Sequence, residues 1–259
     1  MSVKVAAVSD THGHFIPVNP CDVLCICGDI YPPRRMTVDQ CRSWFKDSFM
    51  PWCSQQPASV ILLVGGNHDS FLADYEEEVR GLLATTNVKY LKDESYEYRS
   101  EQTGQIITFY GTPWCHKFGN WSFMNYDNTQ LEAVYNHIPY NLDVLLCHDA
   151  PYGISDICFE NHPSRRTHIG CPALYTIVAK KQPKLLLHGH LHTANHSCEK
   201  LGSTEVYNVS ITNERYSISF PPLYLELDCT KFPQSAHLPA FASVDADISS
   251  PLPSQTQQS

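Results

Sequence analysis

No apolar run in the 259 residues approaches the roughly 20 that a bilayer-spanning helix requires. No basic segment followed by a long apolar stretch opens the chain, so no secretory leader is expected. Positive charge is scarce: 18 lysines and arginines stand against 27 aspartates and glutamates, a formal net charge of −9. That sign gives no general attraction to duplex nucleic acid or to an anionic membrane, whereas a bound multivalent cation would offset part of it locally. There are 11 cysteines but no Cys-x-x-Cys pair, which argues against a structural zinc ribbon. Cys25, Cys27 and Cys147 lie inside apolar runs, where cysteine behaves as a small core residue. Reduced thiols in a cytoplasmic protein are therefore expected. The length and a 42 % hydrophobic content suit one large α/β domain, or two small ones, with a sizeable core.

The apolar runs all end alike. Val60 to Val64 is a run of mostly branched residues that meets Gly65-Gly66 and then Asn67-His68-Asp69. Such a run reads as a strand buried on both faces, and polar groups at its carboxyl end stand where open α/β sheets keep their sites. The pattern recurs four times. Val3 to Ser9 leads into Asp10-Thr11-His12, Val23 to Cys27 into Gly28-Asp29, Asp143 to Cys147 into His148-Asp149, and Lys184 to Leu187 into His188-Gly189-His190-Leu191-His192.

Between these units, Thr37 is a suitable N-cap for a helix carrying Val38, Cys41, Trp44, Phe45 and Phe49, which Pro51 should stop or bend. An acidic helix is expected from about Phe71 to Ala84, with Glu76, Glu77 and Glu78 on a solvated face. Val88 to Leu91 is a short strand candidate, and Tyr96–Tyr98 and Ile106–Tyr110 read as two strands around a turn at Thr103-Gly104. Leu131 to His137 and Pro172 to Lys181 read as helices, and Tyr152 to Gly170 as a long polar loop. Glu205–Val209, Arg215–Ser219 and Leu223–Asp228 read as closing strands of a second sheet. The domain is expected to span residues 1–231, and residues 232–259, rich in Pro, Ser and Gln, to form a disordered tail.

The donors at the five strand ends are carboxylate, imidazole and amide oxygen, without thiolate. That set suits Mn²⁺, Fe or Zn²⁺ and does not suit copper(I) or an iron–sulfur cluster. There are too many for one tetrahedral ion. Asp29 is the natural bridge, and two ions about 3.5–4 Å apart are a common device for attack on phosphorus.

Asp10-x-His12, Gly28-Asp29, Gly66-Asn67-His68, His148 and Gly189-His190-x-His192 resemble, in order, the five motifs of the calcineurin-like metallophosphoesterase superfamily. The resemblance covers roughly residues 3 to 228. Gly111-Thr112-Pro113-Trp114, Asp143–Pro151 and Gly170–His192 are more specifically similar to the metallophosphoesterase-domain proteins, relatives of the class III cyclic nucleotide phosphodiesterases. The resemblance implies an α/β fold of two packed mixed β-sheets flanked by helices. It implies a first metal on Asp10, His12, Asp29 and His192 and a second on Asp29, Asn67, His148 and His190, with Mn²⁺ favoured. It further implies a hydroxide between the metals as nucleophile, and His68 as a catalytic group toward the leaving oxygen or the phosphoryl group. His14 and His188, which flank motifs, are read as structural.

Two departures matter. Gly28-Asp29 is followed by Ile30-Tyr31-Pro32-Pro33 rather than by the Asp, Arg and Gly of the phosphoprotein phosphatases, which argues against a protein phosphatase. It also leaves open which carboxylate orients His68. Some metallophosphoesterase-domain proteins carry Gly where His190 stands, and its retention here predicts a complete two-metal site. The function expected is hydrolysis of a small phosphodiester, with cyclic nucleotides and other nucleotide-type substrates foremost. The alternatives are a phosphomonoesterase on small phosphorylated metabolites or nucleotides and a non-catalytic scaffold that keeps the fold. Arg165, Arg166 and His168 are candidates for clamping a phosphate, against a solvated loop. The aromatic loop from Trp114 to Tyr126 could stack a base, against a packing role.

Overall fold

The computed structural model describes residues 2–159, 166–192 and 194–228. Its elements follow the order β1 (Val3–Val8), β2 (Cys21–Cys27), α1 (Val38–Trp44), a π-helical turn (Phe45–Phe49), α2 (Met50–Ser54), β3 (Ala58–Val64), α3 (Ser70–Asp74), α4 (Glu76–Leu83), β4 (Val88–Tyr90), β5 (Glu94–Arg99) and β6 (Ile106–Thr112). There follow α5 (Asn128–Tyr135), β7 (Val144–Cys147), β8 (Ile157–Phe159), β9 (Arg166–His168), α6 (Pro172–Lys181), β10 (Leu185–His188), β11 (Glu199–Leu201), β12 (Thr204–Asn208) and β13 (Leu223–Leu227).

Two mixed sheets carry the fold. The first has the order β13-β1-β2-β3-β4, with β1 to β4 parallel and β13 antiparallel on the edge. The second has the order β11-β12-β10-β7-β6-β5, with four parallel strands between antiparallel edges. Side chains alternate across each strand. Val5, Ala7, Val23, Cys25, Val60 and Leu62 from one sheet meet Phe109, Val144, Leu146, Leu185 and Leu187 from the other in a shared core. The opposite faces carry Val8, Leu24, Ile26, Ile61 and Leu63 with Phe45, Phe49 and Phe71, and Leu145 and Leu186 with Tyr135, Leu174 and Val178 of the helices. Burial on both faces is why the central strands read as unbroken apolar runs.

Pairing continues past the strand ends. Ser9 N–H donates to Val209 O (2.8 Å), Ile211 N–H to Ser9 O (3.0 Å), Asp10 N–H to Gly28 O (2.9 Å) and Gly189 N–H to His148 O (3.0 Å). The loops that follow five parallel strands are thereby tied into one rim.

Several local expectations need correction. Residues 215–219 are not a strand: Tyr216 adopts a left-handed φ of 56° in a turn closed by Tyr216 N–H on Asn213 O. The strand ending the described chain pairs with β1, so it closes the first sheet and not the second. The acidic helix is broken at Tyr75 into α3 and α4, and Glu76 and Glu78 are ion-paired with Arg80, Lys92 and Arg42 rather than merely solvated. Pro51 does not stop its helix. The π turn before it shifts the hydrogen-bond register where Pro51 has no N–H to give, and α2 runs on to Ser54. The polar loop contains a small hairpin, β8 with β9. The expected tail lies outside the described residues.

Candidate metal centre

The five strand ends bring Asp10, His12, Asp29, Asn67, His148, His190 and His192 to the same rim. Asp10, His12 and His192 form one cluster able to hold a metal ion, and Asp10, Asp29 and His148 form a second. Between the donors, His12 Nε2 lies 3.3 Å from His192 Nε2, His192 Nε2 3.2 Å from Asp10 Oδ1, and His148 Nε2 3.4 Å from Asp29 Oδ2. Asn67 Oδ1 is 3.0 Å from His148 Nε2. The His190 ring is 5.1 Å from that of His148, and its backbone N–H donates to both oxygens of Asp10 (2.9 and 3.1 Å).

Three rings are oriented from behind. Nδ1 of His12 is placed on Tyr31 O (3.2 Å), that of His148 on Cys27 O (2.7 Å) and that of His192 on Asn213 O (3.0 Å). An Nδ1–H donated to a carbonyl leaves Nε2 with a lone pair directed at the centre, the usual support for a metal-binding imidazole. The donor set and its support fit two divalent ions. The backbone is strained at the same place: Asp10, His12, Asp29 and His190 have φ of 53°, 44°, 52° and 69°, left-handed conformations that cost non-glycine residues energy and cluster at functional sites. Close approach explains two glycines. A Cβ at Gly66 would run into Asp29, and one at Gly189 into Ser9 and Asp10.

Charge is concentrated in a buried place. Burial alone would raise the Asp10 carboxyl, but the hydrogen bond and charge of His192 outweigh it and hold it well below the usual carboxylate range. Asp29 is likewise held low against its own burial, chiefly by the charges of His148 and His68. Burial opposes the charging of His148 and His192, yet Asp29 pushes His148 up to about 10 and Asp10 pushes His192 up to about 9. Burial lowers His12 and His190 to about 4 each. Without metal, then, two imidazoles hold protons where the ions would sit.

His68 belongs to the same rim. Its N–H donates to Asp29 Oδ1 (2.8 Å), and its ring lies 5.1 Å from His12 and 4.8 Å from Trp121. Asp69 does not orient it. Its carboxylate turns inward and accepts from the N–H groups of Asp29 (2.8 Å), Ile30 (2.9 Å), Tyr31 (3.3 Å) and Gly66 (2.8 Å). Asp69 therefore welds the loop after β2 to the loop after β3. Of the remaining candidates, Arg165 lies outside the described residues, and Arg166 opens β9 with its side chain undescribed. His168 bonds Asp156 through Nδ1 (2.5 Å) and packs 5.7 Å from Tyr152.

Sequence reasoning missed Tyr216. Its ring lies 4.6 Å from His12, 5.6 Å from His192 and 6.4 Å from His68, and its carbonyl is bonded to His14 Nε2 (2.7 Å). No spacing signals it, because the turn that presents it reads as a strand. The aromatic loop divides. Trp114 and Phe123 are buried, whereas Phe118 stacks on His190 (5.2 Å) and Trp121 meets His68 at a tilt of 46° (4.8 Å).

With this geometry in place, comparison with known proteins is decisive. The model of the calcineurin-like phosphoesterase family matches residues 3–194. The chain belongs to that family. It is 28 % identical over 253 residues to the human metallophosphoesterase domain-containing protein 1, covering 86 % of this chain and 71 % of the relative, and the mouse protein of that name matches equally. Among solved structures, phosphopantetheinyl hydrolase from Mycobacterium tuberculosis superposes with a TM-score of 0.54 at 13 % identity, over 83 % of this chain and 91 % of the other, which is a likeness of fold. Family and ligand clusters together support a metal-dependent phosphoester hydrolase with a dinuclear site for divalent ions. No helix among the described residues is long and apolar enough to cross a membrane.

Proposed function

We propose that this member of the family is a phosphodiesterase acting on small nucleotide-type substrates such as cyclic nucleotides. Asp10, His12, Asp29 and His192 would hold one ion, and Asp29, Asn67, His148 and His190 the other. The mixed set of imidazole, carboxylate and amide-oxygen donors suits Mn²⁺, which is favoured by the family resemblance, with Fe and Zn²⁺ as alternatives. Bound there, the ions would supply charge neutralisation for the phosphoryl oxygens and a lowered pKa for water.

The chain's own residues supply the rest. His68 is anchored through its backbone to Asp29, while its ring keeps 22 % of its surface open to the mouth of the site. It is placed to give a proton to the leaving oxygen, or a hydrogen bond to the phosphoryl group as charge builds. The observation that carries the reading is the inward convergence of three pinned imidazoles on Asp10 and Asp29.

The preference for a diester rests on charge. Among the described residues the ion-pair partners of Asp10 and Asp29 are histidines, and Arg42, Arg80, Lys92 and Lys184 are engaged elsewhere, with Asp39 and Glu78, Glu76 and Glu94, Glu76, and Asp143 respectively. The rings of Phe118 and Tyr216 border the ligands His190 and His12 instead, and that of Trp121 borders His68. A monoester dianion gains more from guanidinium or ammonium partners than a diester monoanion does. Cys25, Cys27, Cys41, Cys53, Cys115, Cys147 and Cys171 are buried free thiols, which suits a cytoplasmic location.

The test is a pair of initial rates in Mn²⁺, on an aryl phosphodiester and the matching monoester, with Asp29→Ala as blank. Faster diester cleavage is expected. A faster monoester would make the protein a phosphomonoesterase, and no rate above the blank with metal bound would make it a scaffold.

A further inference from the structure

Beside the metal centre lies a second concavity that the five motifs do not build. It has a volume of about 450 Å³, within the range of roughly 300–1,000 Å³ typical of small-molecule sites. One wall is Trp121, whose ring also lies 4.8 Å from His68. Trp114 and Phe123 add apolar surface, while Ser70, Asp74, Asn120, Ser122 and Asn125 supply donors and acceptors. Lys92 reaches the lining with its charge matched by Glu76 (2.6 Å).

The segment that presents Trp121 is braced. Cys115 N–H donates to Phe123 O (2.9 Å) and closes its base, and Ser122 N–H donates to the carbonyl of Asn67 (3.2 Å). The buried Asp149 accepts both the N–H and the ring of His116 (2.8 and 2.7 Å). Gly119 leaves the space the indole needs, since a Cβ there would come within 2.8 Å of it. Trp121 nevertheless stays 44 % exposed, whereas Trp52 and Trp114 are 8 % and 7 % exposed. An indole held on a fixed loop, partly in water, between a histidine of the centre and a polar-edged cavity is a stacking surface lacking its partner.

We propose that this cavity is the subsite for one organic group of the substrate, a planar heteroaromatic ring stacked on Trp121 with its edge hydrogen-bonded by the surrounding amides and hydroxyls. An arene would leave those polar groups unmatched, and a polyol would leave the indole unused. The inference rests on the phosphodiesterase reading only for the identity of the phosphorus chemistry, because the cavity and Trp121 stand apart from the metal ligands.

The test is a fluorescence titration of the Mn²⁺-loaded protein with adenosine and, separately, with choline, neither of which carries phosphate. Adenosine should quench the emission of the exposed Trp121 saturably and compete with diester hydrolysis. Trp121→Leu removes the reporter, so its adenosine affinity is read by isothermal calorimetry, and it should weaken binding roughly 5- to 150-fold, the range of about 1–3 kcal/mol for loss of one base–aromatic stack. Ala73→Phe, which fills the cavity from α3 and leaves the indole in place, should do the same. Binding of adenosine without any phosphoester turnover would keep the subsite and remove the hydrolase reading. Turnover without adenosine binding would overturn the subsite alone. A response to choline and not to adenosine would overturn the ring in favour of a cationic group, and quenching that survives Ala73→Phe would overturn the cavity.

Discussion

Asp69→Asn is the substitution whose cost follows most directly from the structure. Oδ2 of Asp69 accepts from Asp29 and Gly66, and Oδ1 from Ile30 and Tyr31, four backbone donors in all. Asparagine offers one acceptor oxygen and an NH₂ group, so whichever way it turns, two buried N–H groups face a donor. Each orphaned buried N–H costs about 1–3 kcal/mol, so the pair costs about 2–6 kcal/mol, a large share of a typical stability of about 5–15 kcal/mol. Burial, with the Asp29 charge beside it, pushes the Asp69 carboxyl up to about 8. The measurement therefore belongs at pH 8.5, with chelator present, by urea unfolding followed in the far-ultraviolet. The midpoint should fall with the slope unchanged, and Mn²⁺ affinity should fall with it, because the same bonds place Asp29. Asp74→Asn, on the exposed surface, should stay within about 0.5 kcal/mol of wild type. If Asp69→Asn were equally silent, Asp69 would not join the two loops.

His68→Ala should retain both metals by elemental analysis and lose most turnover; loss of an ion would mark His68 as a ligand. Metal loading at pH 7 should release at least two protons, since His148 and His192, raised to about 10 and about 9 by Asp29 and Asp10 in the metal-free chain, must be neutral to ligate, and a third if the bound water ionises; calorimetry in buffers of different ionisation enthalpy counts them. Both values lie above the ordinary 6.5. Their stabilisation of the metal-free protein is therefore complete below about pH 6.5 and lost as pH rises through 9 to 10. The metal-free melting temperature should accordingly fall from pH 6.5 to 9, and the fall should be shallower in His192→Asn. Tyr216→Phe should leave metal content unchanged, and a lowered kcat with unchanged KM would show that the phenol acts on the reacting group.

The centre was legible because the pattern is local: each apolar run ends in its own donor, and strand ends on one side of a sheet converge. The fold was legible for the same reason, since strands buried on both faces leave continuous apolar runs. What escaped depends on tertiary context. Asp69 reads as a neighbour of His68, yet its direction is decided by the amides of Asp29 to Tyr31. Tyr216 sits in a left-handed turn that alternation alone presents as a strand. Leu223–Leu227 can pair with either sheet on its sequence, and its antiparallel pairing with β1 is decided by where the chain returns in the fold. The split of the aromatic loop into core and rim was open because Trp114 and Trp121 are alike as residues and differ in what lies above them.

The most direct measurement is a crystal of the Mn²⁺-loaded protein with anomalous data collected at the manganese edge. Two peaks about 3.5–4 Å apart are expected, straddling Asp29, with Asp10, His12 and His192 on one and Asn67, His148 and His190 on the other. A single peak, or two that do not share Asp29, would contradict the dinuclear centre.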